Sequence, residues 1–461
     1  MSAHNFLGNL QTYTDGLVEE GKTPAVSVAV WKDGQLHLAA SGILNVETGV
    51  EATTDSIFQI GSITKIMTVS IIMQLVDEGK IDIDMPVRTY LRDFAIADAE
   101  ASETITVRQL INHTNGMSGD FFPDESRQSG NQIARYLDRI NRLPLIHPVG
   151  EYYSYSNAAF AVAGRLIEVV TGVSWYNAIE ERIYQPLGMS HAISHPMDVI
   201  RYRAAIGHFA DQTHPEGWKQ TEQLYLSMGQ AAAGATLTMR AEDLITFGRA
   251  HLEGGITQTG ERWLSKTSLA QMQVQQVNVP TVSKAFTKGY GLGWGLLHHK
   301  QPEDTVYGHG GVTYGQLSML RVIPKQNICF AILINCSEMG MMTEITNRFL
   351  NELASLDYSE AQAKFVNLSS VEQKRFLGTY ASLGDGFRIV SEEDHLVAYY
   401  EDTVLKTPVE RYSLGALEDD FFYGFNRDGS VALELQFKDC QKDGRYSYLF
   451  SGGHLRKRVL E

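Results

Sequence analysis

Phe58-Gln59-Ile60-Gly61-Ser62-Ile63-Thr64-Lys65 begins the segment from which the architecture of this chain can be inferred. The run continues through Glu78, and its apolar residues cover most of a helix surface. This pattern predicts a buried helix with Ser62 at its N-terminal end and Gly79 just beyond its C-terminal end. Ser62 and Lys65 would then lie on one face of the helix, within side-chain reach of each other.

This pair of side chains can support nucleophilic catalysis. At a helix N-terminus the dipole stabilises the Ser62 oxygen as it becomes anionic, and the Ser62 backbone N–H can serve as one oxyanion donor. Burial of Lys65 would favour its neutral form, which can take the proton from Ser62. The alternative is an N-cap serine followed by a lysine that extends to solvent, so further motifs must decide.

Tyr155-Ser156-Asn157 supplies two more polar side chains just after a loop at residues 148–151. In an extended loop, Tyr155 and Asn157 would point the same way into a cleft. A phenol beside an ammonium has its ionised form favoured and can relay a proton between nucleophile and leaving group. The Asn157 amide can hold a substrate carbonyl and orient Lys65. Alternatively, the tripeptide is a half-buried tyrosine beside a turn asparagine.

Gly308-His309-Gly310-Gly311-Val312 is a glycine-rich segment next to a β-type run. Consecutive glycines would let a substrate backbone approach an exposed strand edge. We therefore predict substrate contacts from His309, Gly310 and Gly311. The backbone N–H of Val312 would complete the oxyanion pair. The alternative is a glycine-rich turn with a surface histidine.

Residues 1–356 alternate between strand-like and helix-like patterns and are predicted to form one catalytic domain. The sheet is predicted to begin with a hairpin of residues 25–31 and 35–40. Further strands are predicted at 289–294, 316–322 and 328–334, and further helices at 158–170, 241–252 and about 341–353.

Residues 357–370 form a predicted polar linker, beyond which only short β-type runs occur. Eight such strands can close a small barrel that holds one ligand or is filled by its own side chains. We therefore expect residues 371–461 to form a β-barrel. Its predicted strands are 387–390, 395–400, 403–407, 411–414, 421–425, 431–437, 445–450 and 454–459.

In chain order, Ser62-x-x-Lys65, Tyr155-x-Asn157 and His309-Gly310-Gly311 resemble the motifs of the serine β-lactamase and penicillin-binding-protein superfamily. The resemblance is to its class C β-lactamase, DD-peptidase and D-aminopeptidase branch, and it spans about residues 10–350. Supporting stretches are residues 106–116, 184–189 and 290–295.

This resemblance implies a mixed α/β fold with a helical subdomain and the chemistry of a serine hydrolase or acyltransferase. It implies an acyl-enzyme on Ser62, proton transfer by Lys65 and Tyr155, and substrate positioning by Asn157. True β-lactamases carry lysine where this chain has His309, which is similar to the histidine of DD-peptidases, D-aminopeptidases and family esterases. We therefore expect small D-amino-acid peptides, amides or esters as substrates rather than β-lactams.

The C-terminal barrel resembles the lipocalin-like domains of some family peptidases and of penicillin-binding-protein-type thioesterases, which cyclise nonribosomal peptides. In such proteins the barrel can lend residues to the cleft, and His454 and Arg456 are the candidates here. Alternatively, both belong to an ordinary last strand. Two other functions stay open: a thioesterase that cyclises nonribosomal peptides, and a non-catalytic binding or sensor protein on the same fold.

Composition leaves a small-molecule or peptide substrate as the expected partner. The 461 residues carry a formal net charge of −15, which disfavours nucleic acid and anionic membrane surfaces. We expect no membrane insertion, and a cytoplasmic location, because no long apolar run and no signal-peptide pattern is present. The motifs predict neither a cofactor nor a metal site, and the sequence does not determine the oligomeric state. Three cysteines without metal-ligand spacing predict no disulfide framework.

Residues 16–23 match the phosphate-binding P-loop pattern, but in the wrong structural context. That motif requires a strand followed by a helix, whereas here a helical segment precedes the match and a strand follows it. Glu19 and Glu20 would also lie where a phosphate needs exposed N–H groups. We therefore predict no nucleotide site.

Overall fold

The computed structural model describes residues 3–123, 131–214, 217–282, 287–297, 305–358, 363–402, 408–418 and 420–459. The strands that precede the barrel are β1 Ala25–Lys32, β2 Gln35–Asn45, β3 Val50–Glu51, β4 Phe58–Gln59, β5 Ala192–Ile193, β6 His208–Ala210, β7 Trp218–Gln220, β8 Thr238–Met239, β9 Val277–Asn278, β10 Gly289–Tyr290, β11 Gly295–Leu297, β12 Val306–Thr313, β13 Gln316–Ile323 and β14 Ile328–Ile334.

The α-helices are α1 Ala3–Gly8, α2 Leu10–Glu19, α3 Thr64–Asp77, α4 Ala99–Thr104, α5 Val107–Ile111, α6 Gln132–Ile140, α7 Asn157–Thr171, α8 Trp175–Ile179, α9 Gln185–Leu187, α10 Ala241–Leu252, α11 Lys266–Gln273, α12 Met339–Ala354 and α13 Ser370–Gln373. Shorter helical turns lie at Gly61–Ile63, Val87–Thr89, Glu180–Tyr184, Pro196–Arg201, Met228–Ala233 and Pro324–Gln326. None of the described helices is by itself long and apolar enough to cross a membrane. Only α7 and the segment Trp175–Leu187, which are bent by 83°, pass that test, and they pass it as a pair.

Nine of the described strands form an antiparallel sheet in the order β3-β2-β1-β14-β13-β12-β11-β10-β9. Every residue of β14 is buried, as expected for a strand that is covered on both faces. Phe6, Leu10 and Phe349 of the terminal helices α1, α2 and α12 pack on one face. The helical region around α3, α7 and α10 packs on the other face, so the mixed α/β prediction is confirmed.

The helix α3 is the buried helix that the apolar run predicts. All residues from Thr64 to Leu75 are buried, because α3 lies between the sheet and the other helices. Ser62 itself lies in the tight turn Gly61–Ile63, which leads into α3 at Thr64. Likewise α2 ends at Glu19 and β1 begins at Ala25, so a helix does precede the P-loop-like match and a strand does follow it.

The prediction of one continuous strand over residues 289–294 is wrong. Only Gly289–Tyr290 is strand, and the chain then turns back, with the Gly291 N–H donating to the Trp294 carbonyl at 2.8 Å. Gly293 has a φ of +76°, a left-handed conformation that glycine adopts without strain and that permits this turn. The predicted glycine-rich strand is therefore a hairpin between β10 and β11.

The C-terminal strands close an antiparallel barrel, as predicted. Its described strands are β15 Gly378–Ala381, β16 Asp385–Glu392, β17 His395–Asp402, β18 Glu410–Ala416, β19 Phe421–Phe425, β20 Val431–Cys440, β21 Tyr446–Ser451 and β22 His454–Arg458. The predicted strand 403–407 lies outside the described residues. The strand that closes the barrel on β22 is β15, which sequence analysis missed because it is short and begins with glycine. Aromatic and aliphatic side chains fill the interior.

The barrel packs on the region that precedes it in the chain through an apolar cluster. Tyr448, Phe450 and Leu455 of the barrel contact Tyr153 and Tyr290. Burial of such aromatic surface stabilises the docked arrangement. The strands β21 and β22, and the turn between them, are therefore held against the segment that contains Tyr153. The end of the first domain at residue 356 and the start of the barrel domain at residue 371 remain predictions from the sequence.

Asn335 follows β14 and ties three parts of the sheet together. Its buried amide accepts the Ala25 N–H at 2.7 Å and donates to the carbonyls of Ile43 and Leu44 at 3.1 and 3.2 Å. Asn335→Ala should lower the free energy of unfolding by about 2–4 kcal/mol, because buried polar groups lose their partners. Urea unfolding would measure this, with the exposed Asn351→Ala as control. Equal unfolding midpoints for Asn335→Ala and Asn351→Ala would contradict a stabilising role of the Asn335 amide.

Candidate active site

Lys65 and Ser62 meet where α3 begins. The Lys65 Nζ lies 2.9 Å from Ser62 Oγ, 2.8 Å from Asn157 Oδ1 and 2.5 Å from the carbonyl oxygen of Ala233. Lys65 is fully buried and Ser62 is half-buried. Burial lowers the pKa of Lys65 well below its ordinary value, and the negative charge of Asp120 acts in the opposite direction. The neutral amine is therefore favoured at this position.

The three partners of the Lys65 amine match the hydrogen-bonding capacity of its neutral form. The Ala233 carbonyl and Asn157 Oδ1 can only accept, so each takes one N–H of the amine. The remaining lone pair then faces the Ser62 hydroxyl, which can donate to it. The Ser62 proton is thus directed towards a base.

Asp120 fixes the orientation of the Asn157 amide. The Asn157 Nδ2 donates to Asp120 Oδ1 at 2.9 Å. Because a carboxylate only accepts, the amide nitrogen must face Asp120 and the amide oxygen must face Lys65. Asn157 is the first residue of α7, where Ser156 is the N-cap, so only part of the predicted loop is extended.

Tyr155 lies beside Ser62 and Lys65, but its pKa is shifted in the direction opposite to the prediction. Its phenol hydrogen-bonds with Ser62, and the Lys65 Nζ lies 4.7 Å from the centre of its ring. Burial raises the pKa of Tyr155 well above its ordinary value, and the hydrogen bond with Ser62 opposes this only in part. The expectation that the ionised phenol is favoured is therefore wrong, since burial is the largest effect on this pKa and the buried Lys65 beside it is itself favoured as a neutral amine. The phenol keeps its proton and can donate it.

His113 and the barrel hold the backbone on both sides of Tyr155. The His113 carbonyl accepts the Ser154 N–H at 2.9 Å, and its Nδ1 accepts the Ser156 N–H at 3.0 Å. The His113 ring lies 4.3 Å from the Tyr155 ring, centre to centre. The Tyr155 N–H donates to the carbonyl of Gly453, which lies in the β21–β22 turn, at 2.9 Å. The phenol is thus positioned by both domains.

The two barrel candidates have different positions. His454 lies in the cleft, with its ring 5.7 Å from that of Tyr155 and its Nε2 3.4 Å from Asp120 Oδ2. Arg456 lies inside the barrel, where it pairs with Asp385 and donates to the His454 carbonyl at 3.1 Å. Arg456 therefore supports the turn that carries His454 and does not line the cleft.

The strand β12 approaches the Ser62 turn closely enough for backbone contact. A methyl group on Gly61 would lie 2.6 Å from the Val312 nitrogen, and one on Gly311 would lie 1.9 Å from the Ile60 carbonyl oxygen. Only glycine fits at both positions. The backbone N–H groups of Ser62 and Val312 therefore belong to adjacent segments, the arrangement that an oxyanion hole needs.

His309, a residue of β12, presents a neutral imidazole. Its Nδ1 donates to the Gly310 carbonyl at 2.5 Å, because a carbonyl can only accept. Burial lowers the pKa of His309 to about 3. In the described residues, β11 pairs with β12 only as far as Gly308, so residues 309–312 leave an edge beside Ser62 to which a substrate backbone could bind.

The structure brings the predicted side chains of Ser62, Lys65, Tyr155, Asn157 and His309 together, while their chemical roles stay a prediction. It adds Asp120 and Ala233, which carry no motif that sequence analysis could recognise, and His113, which lies in the supporting stretch 106–116 but was given no role there. In the described part of the chain, no group of three or more His, Cys, Asp or Glu residues could hold a metal ion.

Comparison with known proteins agrees with this geometry. The beta-lactamase family model matches residues 10–355. Penicillin-binding protein 4 of Amycolatopsis lactamdurans is 35% identical over 372 residues, which cover 80% of this chain and 96% of that protein.

Two solved proteins have similar folds. The crystal structure of SurE matches with a TM-score of 0.81 at 25% identity and covers 99% of this chain and 100% of its own; SurE with D-Leu gives 0.77 at 25% identity, with the same coverage. A D-stereospecific amidohydrolase from Streptomyces sp. has a TM-score of 0.58 at 25% identity and covers 76% of this chain and 98% of its own.

Gly311→Ala should destabilise the protein by about 1–3 kcal/mol and move Val312 away from Ser62, because the new methyl group would overlap backbone. Urea unfolding and the rate of Ser62 labelling by a fluorophosphonate would measure both effects. Gly310→Ala is the matched control, since its methyl group would lie 3.4 Å from the flexible end of Met319. Equal losses in the two variants would refute the close-contact argument.

Proposed function

Because the chain belongs to the beta-lactamase family of serine hydrolases, we propose that it transfers an acyl group from a small peptide, amide or ester to Ser62 and then to water. The observation that carries this proposal is the 2.9 Å contact between Ser62 and the buried amine of Lys65. A serine nucleophile needs a base that is unprotonated at neutral pH, and burial provides one.

The proposed first step begins with attack of Ser62 Oγ on the substrate carbonyl while its proton passes to Lys65. The carbonyl oxygen becomes negative, and the N–H groups of Ser62 and Val312 stabilise it. Tyr155, which holds its proton, gives it to the leaving amine or alkoxide and regains one from Lys65. The leaving group departs neutral, and the acyl-enzyme ester remains on Ser62.

We propose a preference for D-amino-acyl donors. Two observations support it: one matched enzyme is a D-stereospecific amidohydrolase, and SurE was solved with D-Leu. At position 309 this chain has a neutral imidazole, whereas β-lactamases carry a cationic lysine there. We therefore do not propose β-lactams as the substrates.

A second candidate keeps the acyl-enzyme but lets an amine of the same substrate attack it, which would release a cyclic peptide. The observation in its favour is that the barrel turn places His454 beside Tyr155, so the barrel narrows the access of water to the ester. The similarity to SurE along both whole chains is compatible with either outcome.

Ser62→Ala should abolish covalent labelling and turnover and leave the fold unchanged, since one half-buried hydroxyl contributes little to stability. Intact-protein mass spectrometry after incubation with D- and L-aminoacyl esters, amides and peptidyl thioesters would detect the acyl adduct and its released product. A linear acid supports hydrolysis, and a cyclic product supports the second candidate. Unchanged turnover by Ser62→Ala would refute both, and no adduct on the intact protein would favour a binding or sensor protein.

The acylation rate should rise with pH as Lys65 loses its proton, and it should level off well below pH 10.5, the ordinary lysine pKa. Because Asp120 raises the pKa of Lys65, Asp120→Asn should move the rising limb to lower pH. Stopped-flow acylation by an amino acid ester across pH 4–10 would test both. A limb at the same pH in both proteins would contradict this account of the base.

A further inference from the structure

Asp120 is the charged side chain in the hydrogen-bond network around Ser62. Among the described residues of this network, burial favours the uncharged forms of Lys65, Tyr155 and His309. An aspartate carboxylate is ionised at neutral pH. The nearby guanidinium of Arg321 packs against Gly308 and is 7% exposed, so it does not face the cleft. The cleft therefore presents a negative charge to a substrate.

The Asp120 carboxylate can accept more hydrogen bonds than it makes with its two neighbours. Oδ1 accepts from Asn157 Nδ2 at 2.9 Å, and Oδ2 lies 3.4 Å from His454 Nε2. A carboxylate has about four lone-pair sites. The side chain is 32% exposed, whereas Lys65 beneath it is fully buried. About a third of the Asp120 side chain is thus exposed and open to further contacts.

The position of this carboxylate relates it to the reacting carbonyl. One amide group, that of Asn157, separates Asp120 from the amine of Lys65, which in turn contacts Ser62. A substrate whose carbonyl is at Ser62 would therefore place its neighbouring atoms near Asp120. His454 limits this space from the barrel side.

We propose that Asp120 binds a protonated amino group on the acyl part of the substrate, close to the reacting carbonyl, and so selects acyl donors with a free amine. This inference rests on the proposed acyl-enzyme function. An ammonium group offers three donors to the carboxylate and neutralises its charge. An acetylated amine offers one uncharged donor, and a carboxylate substituent would be repelled.

The test compares methyl esters of D- and L-amino acids with their N-acetylated forms. We measure kcat/KM for the intact protein, for Asp120→Asn, and for Asp93→Asn as the matched control, an exposed aspartate that makes none of these contacts. The intact protein and the control should prefer the free amine by at least about tenfold, the effect of one charge-assisted hydrogen bond. In Asp120→Asn the preference should fall below about threefold.

Three outcomes would overturn this inference. Equal rates on free and acetylated esters would show that no amine is recognised. Equal losses on both in Asp120→Asn would show that the carboxylate only positions Asn157. Labelling of Ser62 by a fluorophosphonate without acylation by any ester would leave the proposed nucleophile in place and reject amine recognition. Failure of the fluorophosphonate itself would instead reject the proposed function.

Discussion

The candidate active site depends on keeping one amine, that of Lys65, out of water. In the proposed mechanism Lys65 can act as a base only while it is buried, and its burial needs the sheet, α3, α7 and the turn Met228–Ala233 to be packed together. Removing an ammonium from water without partners is costly, so the amine is held neutral and given two fixed acceptors. The fold and the chemistry are therefore linked through a single side chain.

The sequence predicts the features that local patterns encode. The apolar run after Ser62 predicts the buried helix α3, and alternating short runs predict a barrel of eight strands. The stretch 289–294 was misjudged because its hairpin depends on the left-handed conformation of Gly293. A short strand such as β15 is defined by its partners in the barrel, and these are far away in the chain.

The residues of the candidate site could largely be predicted from the sequence, but their protonation states only in part. Motif spacing identifies Ser62, Lys65, Tyr155 and Asn157 as a group. The protonation of Tyr155 depends on how much water the folded protein excludes, which is a tertiary property, and the sequence suggested the opposite direction. Asp120 was missed because no sequence motif marks an isolated aspartate after Ser118-Gly119. Its role can be recognised only from its hydrogen bond with Asn157 in the folded protein.

The hydrogen bond from the Tyr155 N–H to the Gly453 carbonyl joins the phenol-bearing loop to the barrel. Partial opening of a protein involves its weakest cooperative unit, and the barrel is a separately packed one. If the barrel detaches on heating, the loop loses one of its anchors while the helices around α3 stay folded. Activity would then be lost at the temperature at which the barrel detaches. That temperature would lie below the one at which the whole protein unfolds.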